Sequence, residues 1–339
     1  IARFFAAFSV LAFHYFSVTA ASTYAPLRFY LERGYLGVQL FFIISGFVIF
    51  FSLQDNIKRF ALSRFLRIYP IFWVLCTVTY ITTILIPTEG VLSFGRYLYN
   101  LLIINNGTTA LMVDGSYWTL THELIFYVAI GLFVFLFKKK RVEWFFMLWL
   151  LILSLGVVFR LQEMFIFKIL LIRSGFYFIF GGMLGLLVQE WRQSTLKVKL
   201  RRIGSMVLSV VMVGYLSSVL LEKDPSLVTN HFGMYDVSTL WSVIGLFFLV
   251  PVLVYLSYKV SHPKMISISK ALGGITYPLY LLHNKIGALV LGAFGVFGIW
   301  SPTSVLFVIG LIILCHYIAQ IEERWRKQVN RKIVTAYNL

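Results

Sequence analysis

A chain of 339 residues with 60% apolar and only 13% charged side chains, and a mean hydropathy of +0.86, is not an ordinary soluble domain. Its formal net charge of +17 would point to nucleic acid in a soluble protein. Here repeated apolar runs long enough to cross a bilayer make it a polytopic helical membrane protein, whose Lys and Arg collect on the cytoplasmic side.

The first span, Ile1 to Phe16 and on to about Ala20, carries two strongly polar side chains, Arg3 and His14, eleven residues apart. At about 100° per residue that is roughly three turns, so both face one way, about 16 Å apart, with Ala7 and Val10 between them. Ionisable groups are costly in hydrocarbon, so this stripe is expected to face a bundle interior or a wet cavity. The alternative is an arginine that snorkels to the headgroups and a histidine that only packs. The chain starts inside a span, so a short N-terminal piece is expected to precede it.

A polar segment, Thr19 to Arg33, leads to a second span, Gly34 to Leu53. A basic stretch ending at Arg67 precedes the third, Tyr69 to Ile86, which stops at Pro87. The loop to Tyr117 contains an apolar segment, Leu98 to Ile104, too short to cross and suited to lying in the interface or re-entering. The fourth span, Trp118 to Phe137, is closed by Lys138 to Arg141; the fifth and sixth run from Trp144 to Phe159 and from Ile169 to Val188. After a basic connector ending at Arg202 come Ile203 to Leu221, Leu240 to Tyr258, Ala271 to Phe294 and Pro302 to Gln320, then a basic tail. Cys76 and Cys315, both in apolar runs, form no disulfide framework and no metal spacing, and no metal site is expected.

The connectors after the second, fourth, sixth and eighth spans, together with the tail, hold most of the 30 basic residues. The charge is therefore a topology signal, with attraction to anionic membrane lipids as a secondary effect and no nucleic acid partner. The expected fold is all-α, with about ten transmembrane helices and both termini cytoplasmic, in a single integral membrane domain over 1–339 with no appended soluble domain. No internal repeat suggests the inverted halves of many transporters.

On that orientation His14 lies about 9 Å and Glu123 about 7 Å below the outer boundary. An imidazole and a carboxylate at one depth could form a general-base pair, or each could bond locally on opposite sides of the bundle. His122 points about 100° away from Glu123 and suits the interface. Arg64 and Arg67 share a face at i, i+3, two guanidinium forks suited to phosphate oxygens, although positive-inside charge alone would also place them. His283, mid-span with Tyr280 a turn before, is a functional candidate, or a hydrogen bond between helices.

Five segments resemble the acyltransferase-3 family of integral membrane O-acyltransferases, which includes bacterial O-antigen and exopolysaccharide O-acetyltransferases. They are R-x-x-A-A-x-x-V-x-x-x-H at Arg3 to His14, GVQLFFIISGFVI at Gly37 to Ile49, RFLRIYPIFW at Arg64 to Trp73, WTLTHELIFY at Trp118 to Tyr127, and YPLYLLH at Tyr277 to His283. The resemblance implies ten helices with an inside N-terminus in the bacterial inner membrane. It places the essential histidine on His14, its partner arginine on Arg3 and the conserved glutamate on Glu123. It also places the arginine pair linked to the acyl donor on Arg64 and Arg67. Trp118, Tyr127, Tyr280 and His283 are then candidates for binding the substrate. The chain departs from the family at Gln39, where an acidic residue is common, and at Asn284-Lys285, where a proline often follows the histidine.

The implied reaction moves an acetyl or similar short acyl group from acetyl-coenzyme A, or another acyl-coenzyme A, to a hydroxyl of a surface glycan or its lipid-linked precursor. His14 would act as general base, or as a transient acyl carrier. Neither a G-x-S-x-G elbow nor a reactive cysteine setting is visible. At helical rise about 15 to 20 Å separates the arginine pair from His14, a gap for an extended pantetheine arm, with Arg3 lining the path. The competing classes are a transporter that moves a glycan or acyl group without chemistry, and a structural membrane subunit, which leaves the five ordered motifs unexplained.

Overall fold

The computed structural model describes residues 1–16, 30–53, 56–86, 92–103, 112–223, 237–259, 262–296 and 301–337, and for 220–223, 237–240, 258, 336 and 337 the backbone alone. Among the described residues the regular structure is all helix. In order these helices are α1 (Ala2–Phe16), α2 (Gly37–Ser52), α3 (Ile57–Leu85), α4 (Phe94–Asn100), α5 (Trp118–Phe137) and α6 (Val142–Val158). They continue as α7 (Phe165–Ile169), α8 (Gly175–Gln189), α9 (Leu196–Lys223), α10 (Val237–Lys259), α11 (Pro263–Ala293) and α12 (Pro302–Tyr337). Among the described residues six helical stretches are long and apolar enough to cross a membrane: Tyr30–Ser52, Ile57–Leu85, Gly115–Phe137, Lys139–Val158, Leu196–Val219 and Pro302–Thr335. A helix satisfies its own backbone polar groups, which is why apolar sequence in lipid takes this form. Exposed Leu148, Leu151 and Leu155 on α6, and Ile309 and Ile313 on α12, give these helices apolar outer faces.

Several boundaries differ from the sequence expectation. The helix that carries the third span begins before Tyr69: α3 starts at Ile57, takes in the basic stretch, and carries Pro70 inside it. A proline removes one backbone donor, a loss that neighbouring groups in a membrane bundle can absorb, whereas Lys58 to Arg67 contains no breaker at all. For the same reason α11 begins at Pro263 and runs through Pro278. The tail is helical to Tyr337, supported by i, i+4 ion pairs from Glu322 to Arg326 (2.7 Å) and Glu323 to Lys327 (2.5 Å). The sixth span opens later than expected, at Gly175, because Leu171 takes a left-handed φ of 60° and interrupts the chain after the short α7.

Two compact units divide the chain. The second, Val38–Ile57 and Ile125–Val260, is built on a backbone-to-backbone approach of α2 and α8. A Cβ at Gly46 would meet the Phe178 carbonyl, one at Gly181 the Ile43 carbonyl, and one at Gly185 the Phe47 carbonyl. Rings fill the space beside this crossing, with Phe178 at 4.4 Å from Phe126 and 4.8 Å from Phe42. The basic run before α9 has a second use beyond topology. Arg202, 3% exposed, donates to Glu143 (2.8 Å), Glu190 (2.6 Å) and the Leu186 carbonyl (2.8 Å), tying α6, α8 and α9 together. Likewise Lys139 donates to the Leu53 carbonyl at the end of α2, at 2.7 Å.

The first unit, Ile1–Gly37, Lys58–Leu124 and Ser261–Leu339, holds α1, α3, α4, α11, α12 and the start of α5. Ser9 on α1 donates to the Gly34 carbonyl at 3.2 Å, and Gly34 and Gly37 let that segment press on the α1 backbone. The segment from Leu92 to Ile103 turns back along α3. Tyr80 donates to the Leu92 carbonyl (3.2 Å), Thr77 bonds Tyr97 (2.7 Å), Trp73 donates to Leu101 (3.0 Å) and Tyr69 to Leu102 (3.3 Å). Contacts from Tyr80 back to Tyr69 correspond to about 16 Å of helix, so this apolar segment descends beside α3. It ends in a left-handed Ile103 (φ 57°), whose carbonyl accepts from Thr121 at 3.0 Å.

The charge-derived orientation has a direct check. Single cysteines beside Lys140, Lys197 and Lys327 should label only from the cytoplasmic side. Cysteines beside Thr108 and Thr229, which lie outside the described residues, should label only from the opposite side. Labelling of the Lys140 position from outside would overturn the ten-span topology.

Candidate active site

The polar stripe of α1 is used as its periodicity predicts. Ala7 and Val10 are buried at 2% and 3% exposure, and His14 at the far end of the stripe is half-buried. Its ring meets the ring of His283 on α11, with centroids 5.3 Å apart and planes at 48°. His283 is 1% exposed. Its Nδ1 lies 2.8 Å from the Tyr280 carbonyl oxygen, which has no proton to give, so Nδ1 carries the proton and the lone pair sits on Nε2. That Nε2 is buried with no hydrogen-bond partner among the described residues. A base nitrogen of fixed tautomer therefore lies beside the ring of His14.

The two helices are brought together by small and aromatic residues. Gly287 on α11 leaves room for the Tyr15 hydroxyl, and Tyr15 donates to the His283 carbonyl. One turn before His283, the buried Tyr280 hydroxyl accepts from Thr119 at 2.8 Å and donates to the Ser116 carbonyl at 3.0 Å. Glu123 is one turn beyond Thr119 on α5. The ring neighbours of His14 are Phe13 and His283.

Arg64 and Arg67 both lie on α3. The Arg64 guanidinium is half-buried, over the Phe60 ring at 5.8 Å, while Arg67 is exposed with no partner among the described residues. The residue after Arg67 links this turn to α11: the Ile68 carbonyl accepts from the Tyr277 hydroxyl at 3.0 Å. The Tyr117 hydroxyl bonds both Thr79 on α3 and the Leu281 carbonyl on α11, and Thr79 is twelve residues beyond Arg67, about 18 Å of helix, in line with the span-by-span estimate. Arg3 is half-buried at the other end of the His14 stripe, on the same helix. Trp118 is half-buried and stacks edge-on with His122 at 5.0 Å. Tyr127 belongs to the second unit, where it packs beside Phe126.

Sequence reading missed Asp114. It is 0% exposed, in the segment leading to α5, and its carboxylate bonds Ser116, Asn284 and the Lys285 backbone. Two signals were present: it is one of only 13 acidic residues, and an Asp two residues before a Ser favours the local turn it forms here. Tyr117, which donates to the Leu281 carbonyl at 3.3 Å, gave no such signal.

Two imidazoles ring to ring, one with its lone pair on Nε2, can take a proton from a hydroxyl and hand it on. No curated protein and no solved structure matches the chain. Residues 1–320, which include every residue of this site, match the acyltransferase-3 family, described as an acyltransferase domain, and the chain belongs to that family.

Proposed function

We propose that this protein transfers an acetyl or similar short acyl group from an acyl-coenzyme A to a hydroxyl of an exported glycan, or of its lipid-linked precursor, in the bacterial inner membrane. Membership of the family gives membrane acyltransferase activity in general. The observation that carries the finer reading is the His14–His283 pair, a preset base beside a second proton carrier at 5.3 Å between ring centroids. His14 takes the hydroxyl proton as the oxygen attacks the thioester carbonyl. The C–S bond then breaks, and the same proton leaves with the coenzyme A sulfur. Arg67 and Arg64 suit the donor phosphates, and the gap of about 15 to 20 Å of helix between them and the histidine pair suits an extended pantetheine arm. Arg3 adds positive charge on the His14 helix, and Glu123 and Tyr280 line the side where a polar acceptor would dock.

The test is a proteoliposome assay with acetyl-coenzyme A and lipid-linked or polymeric glycan, followed by thiol release and by mass spectrometry of the glycan. Thiol release matched by acetylated glycan is the expected result. Glycan moved across the membrane without thiol release would instead establish the transport reading. In the same assay Arg67→Lys, which keeps the charge but loses the two-pronged fork, should raise the donor KM about tenfold, equivalent to about 1.4 kcal/mol, with kcat little changed.

A further inference from the structure

We propose that Asp114 is a positioning residue that holds the turn of α11 presenting His283 to His14 and supplies the counter-charge to the imidazolium formed there. The proposal rests on the reading of His14 and His283 as the proton-transfer pair. Asp114 reaches the turn from the segment that joins the descending α4 hairpin to α5. Its Oδ1 accepts from the Ser116 backbone N–H (2.7 Å), the Ser116 hydroxyl (2.7 Å) and Asn284 Nδ2 (2.9 Å); its Oδ2 accepts from the Lys285 backbone N–H (2.7 Å).

The last of these bonds lies inside a helix. In an α-helix the Lys285 N–H belongs to the Leu281 carbonyl. Here the N–H has an outside acceptor in Asp114, and the Leu281 carbonyl has an outside donor in Tyr117, only three residues further along the same segment. The Tyr15 hydroxyl bonds the carbonyl of His283 itself. The backbone on either side of His283 is therefore gripped from Asp114, Tyr117 and Tyr15, and the imidazole is aimed by that grip.

Burying a carboxylate is costly unless donors surround it, and four donors do. None of the four is a cationic side chain, and two of them, Asn284 Nδ2 and the Lys285 N–H, belong to the residues directly after His283. A full charge kept in this way beside a neutral imidazole favours the moment when that imidazole gains a proton. The departure at Asn284-Lys285 supplies two of the donors. A proline at 285 would have no N–H for Oδ2.

The experiment compares Asp114→Asn, Asn284→Ala and His14→Ala in purified full-length protein, with kcat, donor KM, coenzyme A affinity by calorimetry and Tm measured for each. Asp114→Asn keeps the shape and removes the charge. It should fold, bind coenzyme A as the parent does, and lose about 10²-fold in kcat. Asn284→Ala, which loosens the grip but keeps the charge, should lose about tenfold in kcat at unchanged affinity. A purely structural role would lower Tm and the yield of folded protein while leaving kcat per folded molecule intact, and that result overturns the proposal. So does a parallel fall of kcat and donor affinity. If Asp114→Asn does not fold, Asn284→Ala decides: full kcat there overturns the proposal. If His14→Ala also retains transfer, it is the histidine-pair reading that fails and not the role of Asp114 alone.

Discussion

His14→Ala is expected to lower acyl transfer by about 10³-fold or more while coenzyme A binding survives, because the group lost is a proton acceptor in the transition state and holds no phosphate. The neighbouring imidazole sharpens this expectation. His283→Gln keeps a polar group of similar size but removes the lone-pair nitrogen, and should cost about 10²-fold. If the two rings work as one unit, the double variant will be no worse than His14→Ala alone, since a broken relay cannot be broken twice. Losses that multiply would mean that the rings act separately, and full activity in His14→Ala would end its assignment as base. Single-turnover acyl transfer, with coenzyme A affinity by calorimetry on the same samples, reads out all of these cases.

The second large effect is on folding. Gly181→Val should leave little folded protein, because its Cβ would be driven into the Ile43 carbonyl and on toward the Phe47 backbone. Overpacking against side chains costs about 1–3 kcal/mol, but here both surfaces are helix backbone and neither can change rotamer, so about 3 kcal/mol or more is expected. That is a large share of the total stability of a typical protein, about 5–15 kcal/mol. Gly204→Ala on α9 is the matched comparison. A Cβ there meets nothing within 4 Å, so the variant should match or slightly exceed the parent. Size-exclusion profiles and Tm in detergent, measured side by side, would show it. A Gly181→Val protein as stable as Gly204→Ala would mean that α2 and α8 do not approach each other through their backbones.

How far each element was legible follows from the range of the force that makes it. The stripe on α1 was readable because helical periodicity is local: with Arg3, Ala7, Val10 and His14 on one face, burial of the middle two follows from the first turn onward. The apolar lengths of α5 and α6 were readable because a bilayer demands them. The start of α3 was misread because a proline looks like a boundary, whereas Pro70 is carried inside a 29-residue helix. The basic run at Lys197 to Arg202 was read as topology alone, since nothing local shows that Arg202 would turn inward to Glu143 and Glu190.

By itself, then, the sequence determined the all-helical class, the apolar character of the helices and the face on which His14 lies, because each is written in composition or in a period of a few residues, while the family was carried by five motifs in order. Only the tertiary structure decided what His14 looks at. Periodicity gives the direction of a side chain on its own helix but not the identity of the helix opposite, which depends on how close packing allows two helices to come. Gly287 lets Tyr15 approach α11, and that approach sets the His283 ring 5.3 Å from His14. Asp114 enters for the same reason. It is a single acid in a connector, and it became part of the site because the chain on either side of it is anchored elsewhere, to α3 through Leu101 and Leu102 and to α11 through Tyr117.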